Sequence, residues 1–157
     1  MRLTSYTDYA LRTLMFLAAN QDRLVTIQEI ADTHGIAKNH LSKVVHQLGQ
    51  LGYIDTLRGR SGGLRLGREP ADINIGAVVR QTENDFFMAA CFDTASAGCI
   101  YAGQCSLQGT LSAATHAFLA VLDGATLDSM LAASQSKKGP RGAVKAVQMH
   151  FKAPKGA

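Results

Sequence analysis

All three cysteines of the chain lie in one stretch, CFDTASAGCIYAGQC, which runs from Cys91 to Cys105. Thiolates are nucleophiles, redox centres and soft metal ligands, so three of them within one segment point to metal or redox chemistry. Seven residues separate Cys91 from Cys99, and five separate Cys99 from Cys105. There is no C-x2-C pair, which argues against a zinc ribbon, and the ferredoxin spacing is also absent. On spacing alone, three readings stay open: an iron–sulfur cluster, a zinc ion, or ordinary reactive or buried thiols. The segment is rich in Gly, Ala and Ser and reads as a loop. A loop of that composition lets scattered thiolates converge and leaves them open to small molecules. A metal site usually has four protein ligands, so the fourth has to be something other than cysteine.

A second set of residues has chemistry for polyanions. The formal net charge of +4 is unevenly spread. Residues 1–70 hold nine basic and six acidic side chains, 71–134 hold one basic and six acidic, and 135–157 hold six basic and no acid. The densest patch is 36–68, where Lys38, Lys43, Arg58, Arg60, Arg65 and Arg68 face Asp55 alone. Such a patch is the footprint of a nucleic-acid binder, the plainer alternative being a solvated basic face.

These residues need elements to position them. TSYTDYALRTLMFLAAN carries Tyr6, Ala10, Leu14 and Leu17 at helical spacing and predicts a first helix. TIQEIADTHG opens with Thr26 facing Glu29 as a capping box and predicts a short second helix ending near Gly35. AKNHLSKVVHQLGQLG places Leu41, Val44, Val45 and Leu48 on one stripe, with Gly52 set to end a third helix. The period then changes to two. YIDTL and GLRLG flank RGRSG and predict a hairpin, closed by Pro70. Three helices followed by a basic hairpin describe a winged helix-turn-helix, a mainly α fold with a small β-hairpin.

In that fold the N-terminal part of the second helix of the pair enters the major groove. Here that part offers Lys38, Asn39, His40, Ser42 and Lys43. Asn makes bidentate contacts to adenine, and Lys or His reaches guanine acceptors. Thr26 and Gln28 begin the preceding helix, whose free N–H groups suit a phosphate. Arg58, Arg60 and Arg65 on the wing suit the minor groove or the backbone. Singly, each of these is equally well an exposed polar side chain without a role.

INIGAVVRQTEN predicts a fourth helix. SLQGTLSAATHAFLAVLDG predicts a longer one, with Leu107, Leu111, Ala114, Phe118 and Val121 spaced close to a heptad seam. A seam of this kind packs on the core or on a second copy, and the expectation is a dimerisation helix. TLDSMLAAS adds a short helix. The basic tail from Gln135, broken by Gly139, Pro140 and Gly142, is expected to be mostly disordered. The expected organisation is a DNA-binding domain over 1–70, a cysteine loop with dimerisation helices over 71–134, and the tail over 135–157. No membrane span or signal peptide is legible, and an odd cysteine count argues against a disulfide framework, so a cytoplasmic protein is expected. Nucleotide loops and nucleophile motifs are missing, which argues against an enzyme or electron carrier.

Taken together, NHLSKVVHQLGQLGYI, RGRSGGLRLGREP, INIGAVVRQTE, FLAVLDGATL and the three cysteines resemble the nitric-oxide-sensitive repressors of the Rrf2 type of winged-helix iron–sulfur regulators. The likeness covers residues 1 to about 132. It implies a homodimer that binds a palindromic double-stranded DNA operator, with one iron–sulfur cluster per subunit, 4Fe-4S favoured over 2Fe-2S. It also implies loss of DNA binding when nitric oxide attacks the cluster iron. The Cys91–Cys99 interval is a little longer than the family pattern, a difference a loop accommodates. With Cys91, Cys99 and Cys105 as ligands, the candidates for the fourth are Asp8, Glu83, Asp85, Asp93 and His116. The resemblance favours Asp8, donated by the other subunit. A hard oxygen ligand binds iron less firmly than thiolate and yields more readily to a diatomic. The competing role for Asp8 is an i, i+4 salt bridge with Arg12. Sibling regulators reading iron, cluster status or redox state share the same pattern, and a zinc-stabilised winged helix making protein contacts is a further alternative.

Overall fold

The structure is a computed structural model that describes residues 2–93, 99, 101 and 105–136, with side chains through 132. From residue 137 the basic tail lies outside the described residues.

Helix α1 (Ser5–Ala18) starts where Thr4 accepts the amide of Thr7, and it buries Ala10, Leu14, Leu17 and Ala18. Helix α2 (Ile27–His34) starts at Thr26, whose hydroxyl oxygen accepts the amide of Glu29, and stops at Gly35 with φ 64°. Only half of the expected capping box forms. The Glu29 carboxylate turns away to Arg23, which donates from both terminal nitrogens at 3.0 and 2.5 Å. A charged bidentate partner outcompetes one backbone amide, and it holds the Glu29 carboxyl below its usual range.

Helix α3 (Lys38–Gln50) buries Leu41, Val44, Val45 and Leu48, the stripe its sequence predicts. It ends in a Schellman turn. Gly52 has φ 73°, its amide donates to Gly49, and the amide of Tyr53 donates to Leu48. Strand β1 (Ile54–Leu57) follows and pairs antiparallel with β2 (Gly63–Leu66), with Ile54 opposite Leu66 and Asp55 opposite Arg65. A Cβ on Gly62 would collide with the Leu57 carbonyl oxygen, so the wing turn requires glycine there. The hairpin is anchored by Val25, which exchanges two backbone hydrogen bonds with Leu64, at 3.0 and 2.7 Å. That third partner is set by tertiary packing and is not visible in the hairpin's own sequence.

A 3-10 turn over Pro70–Asp72 leads to α4 (Ile75–Thr82), capped by the Asn74 side chain. Helix α5 (Ser106–Asp123) and helix α6 (Leu127–Ser136) complete the described chain. A fully buried Leu127 ties α6 to the same core as Leu14, Leu41, Leu48, Leu64, Ile73 and Val78. Burying each such leucine contributes roughly 1.5–3 kcal/mol. The core therefore joins α1, α2, α3, the hairpin, α4 and the start of α6 into one body that contains the winged helix-turn-helix. Helix α5 differs. Thr115 is its one buried residue, while Leu107 is 62% exposed and Val121 74% exposed.

Candidate functional site

The apolar stripe of α3 faces the core, so its first turn must face outward. Lys38, Asn39, His40, Ser42 and Lys43 are all exposed. Lys38 and Lys43 make no ion pair among the described residues, which leaves both charges available to a polyanion. The Asn39 carbonyl oxygen accepts the amide of His40 at 2.9 Å, leaving its amide donors outward. Ser42 donates back to the Lys38 carbonyl at 2.9 Å and retains its acceptor lone pairs. The phenol of Tyr6 in α1 donates to the Lys43 carbonyl at 3.1 Å and braces the same turn from behind.

The starts of α2 and α3 meet the wing at a cleft of about 280 Å³, lined by Thr26, Gln28, Lys38, Thr56, Leu57 and Gly62 among others. Helix geometry leaves the first-turn amides of α2 without intrahelical acceptors at this cleft. Together with Lys38 they form a donor set suited to one phosphate. Gln28 donates to Asp32 at 2.8 Å, a bond it would exchange to reach the same anion.

The three wing arginines are not equivalent. Arg58 and Arg60 lie in the exposed turn between the strands and make no ion pair among the described residues. Arg65 sits directly across from Asp55 and donates to it at 3.2 and 3.3 Å. The fourth basic residue, Arg68, is structural. It donates to the carbonyls of Leu51 and Gly52 and stacks over Tyr53 with 4.7 Å to the ring centroid. Burial pushes the Tyr53 phenol above its ordinary range, with the nearby Arg68 charge opposing that shift.

The cysteine segment begins with a 3-10 turn over Ala90–Phe92 and ends at Cys105, the residue that precedes α5. Residues 94–98, 100 and 102–104 lie outside the described residues. All three thiols are free of disulfides. Cys91 and Cys105 are partly buried, and Cys99 is exposed. Gln108 in the first turn of α5 donates to the Cys91 carbonyl at 3.3 Å and draws the two ends of the segment together. Among the described residues no group of three His, Cys, Asp or Glu side chains is arranged to hold a metal ion. The donor set itself, three unpaired thiols with Cys105 at the positive end of an 18-residue helix, has the chemistry of an iron–sulfur or zinc site.

The candidate fourth ligands differ in how engaged they are. Asp8 pairs with Arg12 at 2.9 Å and its side chain is 45% exposed. Glu83 accepts from both the amide and the hydroxyl of Thr4, at 2.8 and 3.1 Å, and so is committed to the start of α1. Asp85 accepts the amide of Phe87 at 3.0 Å. Asp93 follows the 3-10 turn and is partly buried. His116 is exposed on α5, its Nδ1 lying 2.8 Å from the Ser112 carbonyl, well away in sequence from the loop.

The predicted seam of α5 splits. Leu111 and Phe118 are partly buried beside Thr115, whereas Leu107, Ala114 and Val121, spaced by seven, are exposed. A further group of residues that the sequence did not single out sits at the end of α4. Arg80 forms a bidentate pair with Asp123, the last residue of α5, with Nη2 at 2.8 Å from Oδ2. Gln81 meets Gln47 and Tyr53, and Thr82 meets Thr7. Only the polar character of RQTE hinted at them.

Comparison with known proteins places these features. The family described as "Rrf2: Iron-dependent Transcriptional regulator" matches residues 3–133. The HTH-type transcriptional regulator NsrR of Bacillus subtilis is 53% identical over 132 residues, covering 83% of this chain and 90% of that protein. Among solved structures, T. potens IscR superposes with a TM-score of 0.71 at 22% identity, over 90% of this chain and 94% of that one. CymR, the global cysteine regulator of B. subtilis, gives 0.70 at 22% identity, over 85% and 98%. At such identities the two structures establish a shared fold.

Proposed function

The chain belongs to the Rrf2 family of transcriptional regulators and is not an enzyme, and from that premise we propose that it is a cytoplasmic, nitric-oxide-sensitive repressor. It acts as a homodimer on a palindromic operator. The observation that carries this reading is the pairing of two features in one chain: an outward basic surface on α3 and the wing, where Lys38, Lys43, Arg58 and Arg60 make no ion pair among the described residues, and three free thiols in the segment that opens α5.

Cys91, Cys99 and Cys105 would hold the cluster, 4Fe-4S favoured over 2Fe-2S, and Asp8 of the other subunit would complete it. When bound, the cluster supplies iron that reacts with nitric oxide. The chain's own residues do the rest. Lys38, Asn39, His40, Ser42 and Lys43 meet base edges, while Thr26, Gln28, Arg58, Arg60 and Arg65 hold phosphates or the minor groove. The exposed line of Leu107, Ala114 and Val121 meets its copy in a partner. Two half-sites on a duplex demand one separation of the two α3 helices, about one helical turn of DNA. Asp8 lies on α1, whose Tyr6 braces α3. A carboxylate held across the dimer would therefore fix where each reading helix sits, and its return to Arg12 would release that constraint. A differential affinity of a few kcal/mol is enough to switch operator occupancy.

The direct experiment is oxygen-free isolation of wild type and Cys91→Ser with iron and sulfide analysis. Iron and sulfide in the wild type alone support the site. A cluster retained by Cys91→Ser counts against it. The family's description as iron-dependent favours a second reading, a sibling regulator that senses iron, cluster status or redox state. Operator release on iron chelation, with none on nitric oxide, would select that reading.

A further inference from the structure

Both covalent exits of the cysteine segment return to α4. Residues 83–90 connect it to the C-terminal end of that helix, and Cys105 opens α5, whose last residue, Asp123, is clamped by Arg80. The α5 end is held further by Asn74, whose side chain donates to the Asp123 carbonyl at 2.7 Å. Gly76 fits beneath this clamp because a Cβ there would collide with the Asp123 carboxylate.

The very next residue faces the other way. The Gln81 carbonyl is one of the last carbonyls of α4 and has no intrahelical donor. Gln47 of α3 fills it at 2.8 Å. The Gln81 side-chain oxygen accepts the phenolic proton of Tyr53 at 2.8 Å, and Tyr53, 3% exposed, lies in the turn between α3 and β1. A buried phenol needs such a partner. Thr82 then receives the Thr7 hydroxyl at 3.0 Å, and Glu83 receives Thr4. Arg80 and Gln81, adjacent in sequence, therefore hold different elements, α5 on one side and α3 with Tyr53 on the other.

Building on the regulatory reading above, we propose that the end of α4 is a two-sided clamp. Arg80 holds the helix that leaves Cys105, and Gln81 is the positioning residue through which displacement of the cysteine segment reaches α3 and the wing. A purely adhesive Gln81 would contribute stability and nothing else. A transmitting Gln81 carries a change made at the cysteines into the recognition helix.

The test is amide hydrogen exchange on the full-length, oxygen-free protein before and after addition of nitric oxide. It compares wild type with Gln47→Ala/Gln81→Ala and with the milder Tyr53→Phe, which removes one hydroxyl and preserves packing. In wild type, exchange should change in residues 84–93 and also in 44–50. In the double variant the change in 84–93 should persist, while that in 44–50 falls by about fivefold, the low end of an allosteric coupling. Tyr53→Phe should show the same pattern more weakly. Undiminished transmission in both variants, or a wild-type change confined to 84–93, would overturn the clamp and leave the regulatory reading standing. No wild-type change in either segment would overturn that reading and the clamp with it.

Discussion

The carboxylate of Asp8 lies 2.9 Å from the guanidinium of Arg12, one turn along α1, on a surface where both side chains are about half exposed. An exposed pair at this spacing contributes only about 0.3–0.5 kcal/mol. The bond is weak enough to be exchanged for an iron ligand across a dimer. Asp8→Ala should therefore lower the melting temperature by no more than about 2 °C, while markedly changing the nitric oxide dose that releases DNA. Calorimetry and a mobility-shift titration read the two effects separately. A wild-type dose response in the variant would move the fourth ligand elsewhere.

On the wing, Arg60 is free and Arg65 is opposite Asp55. Arg60→Ala should reduce the slope of log affinity against log salt by about 0.9 if it neutralises one phosphate. Asp55→Asn should have the opposite effect, because it removes a competing anion and releases Arg65 to the duplex. Binding isotherms at several salt concentrations measure both. An unchanged slope removes Arg60 from the interface, and an unchanged affinity in Asp55→Asn means that Arg65 stays on the protein.

Val121 is 74% exposed on the outer line of α5, so a charge there disturbs little within one chain. Val121→Glu should melt close to wild type and sediment as a monomer. Its operator affinity should fall sharply, since a monomer engages one half-site only. A variant that remains dimeric would place the subunit contact on another surface.

His34 packs edge-on against Phe16 with 5.7 Å between ring centroids, and its Nε2 is shut off from solvent without a hydrogen-bond partner among the described residues. Burial depresses its folded value below the ordinary 6.5, with Arg12 adding to the shift and Asp8 opposing it. The unfolded chain then takes up the proton first as pH falls. The contribution of His34 to stability is thus present above 6.5 and lost as pH drops through the lower folded value. His34→Leu should match wild type at neutral pH and flatten the acid side of the stability curve. Urea melts across that window check this, and an equal slope in both proteins would contradict it.

Features fixed by near neighbours were legible in the sequence. The Thr26 cap, the inward stripe of Leu41, Val44, Val45 and Leu48, the Gly52 stop and the wing hairpin each depend on residues within a turn or a hairpin. What escaped depends on partners outside the element itself. Glu29 of α2 went to Arg23 in the preceding loop, Val25 joined the wing at Leu64, and Arg80 found Asp123 forty-three positions away. The α5 seam reads as one stripe in the sequence, yet Leu111 and Phe118 are partly buried while Leu107 and Val121 are exposed. The reading face of α3 follows from periodicity. Where the three thiols lie relative to one another depends on a loop path that no periodicity encodes.

The central claim is that the state of the Cys91–Cys105 segment governs grip on DNA. It is tested most directly by titrating nitric oxide into the oxygen-free protein bound to a duplex it has itself selected from a random pool, while following iron absorbance and DNA occupancy together. The absorbance should bleach and the duplex should be released over the same range of nitric oxide. Colourless, iron-free protein that holds its duplex unchanged at every dose would contradict it.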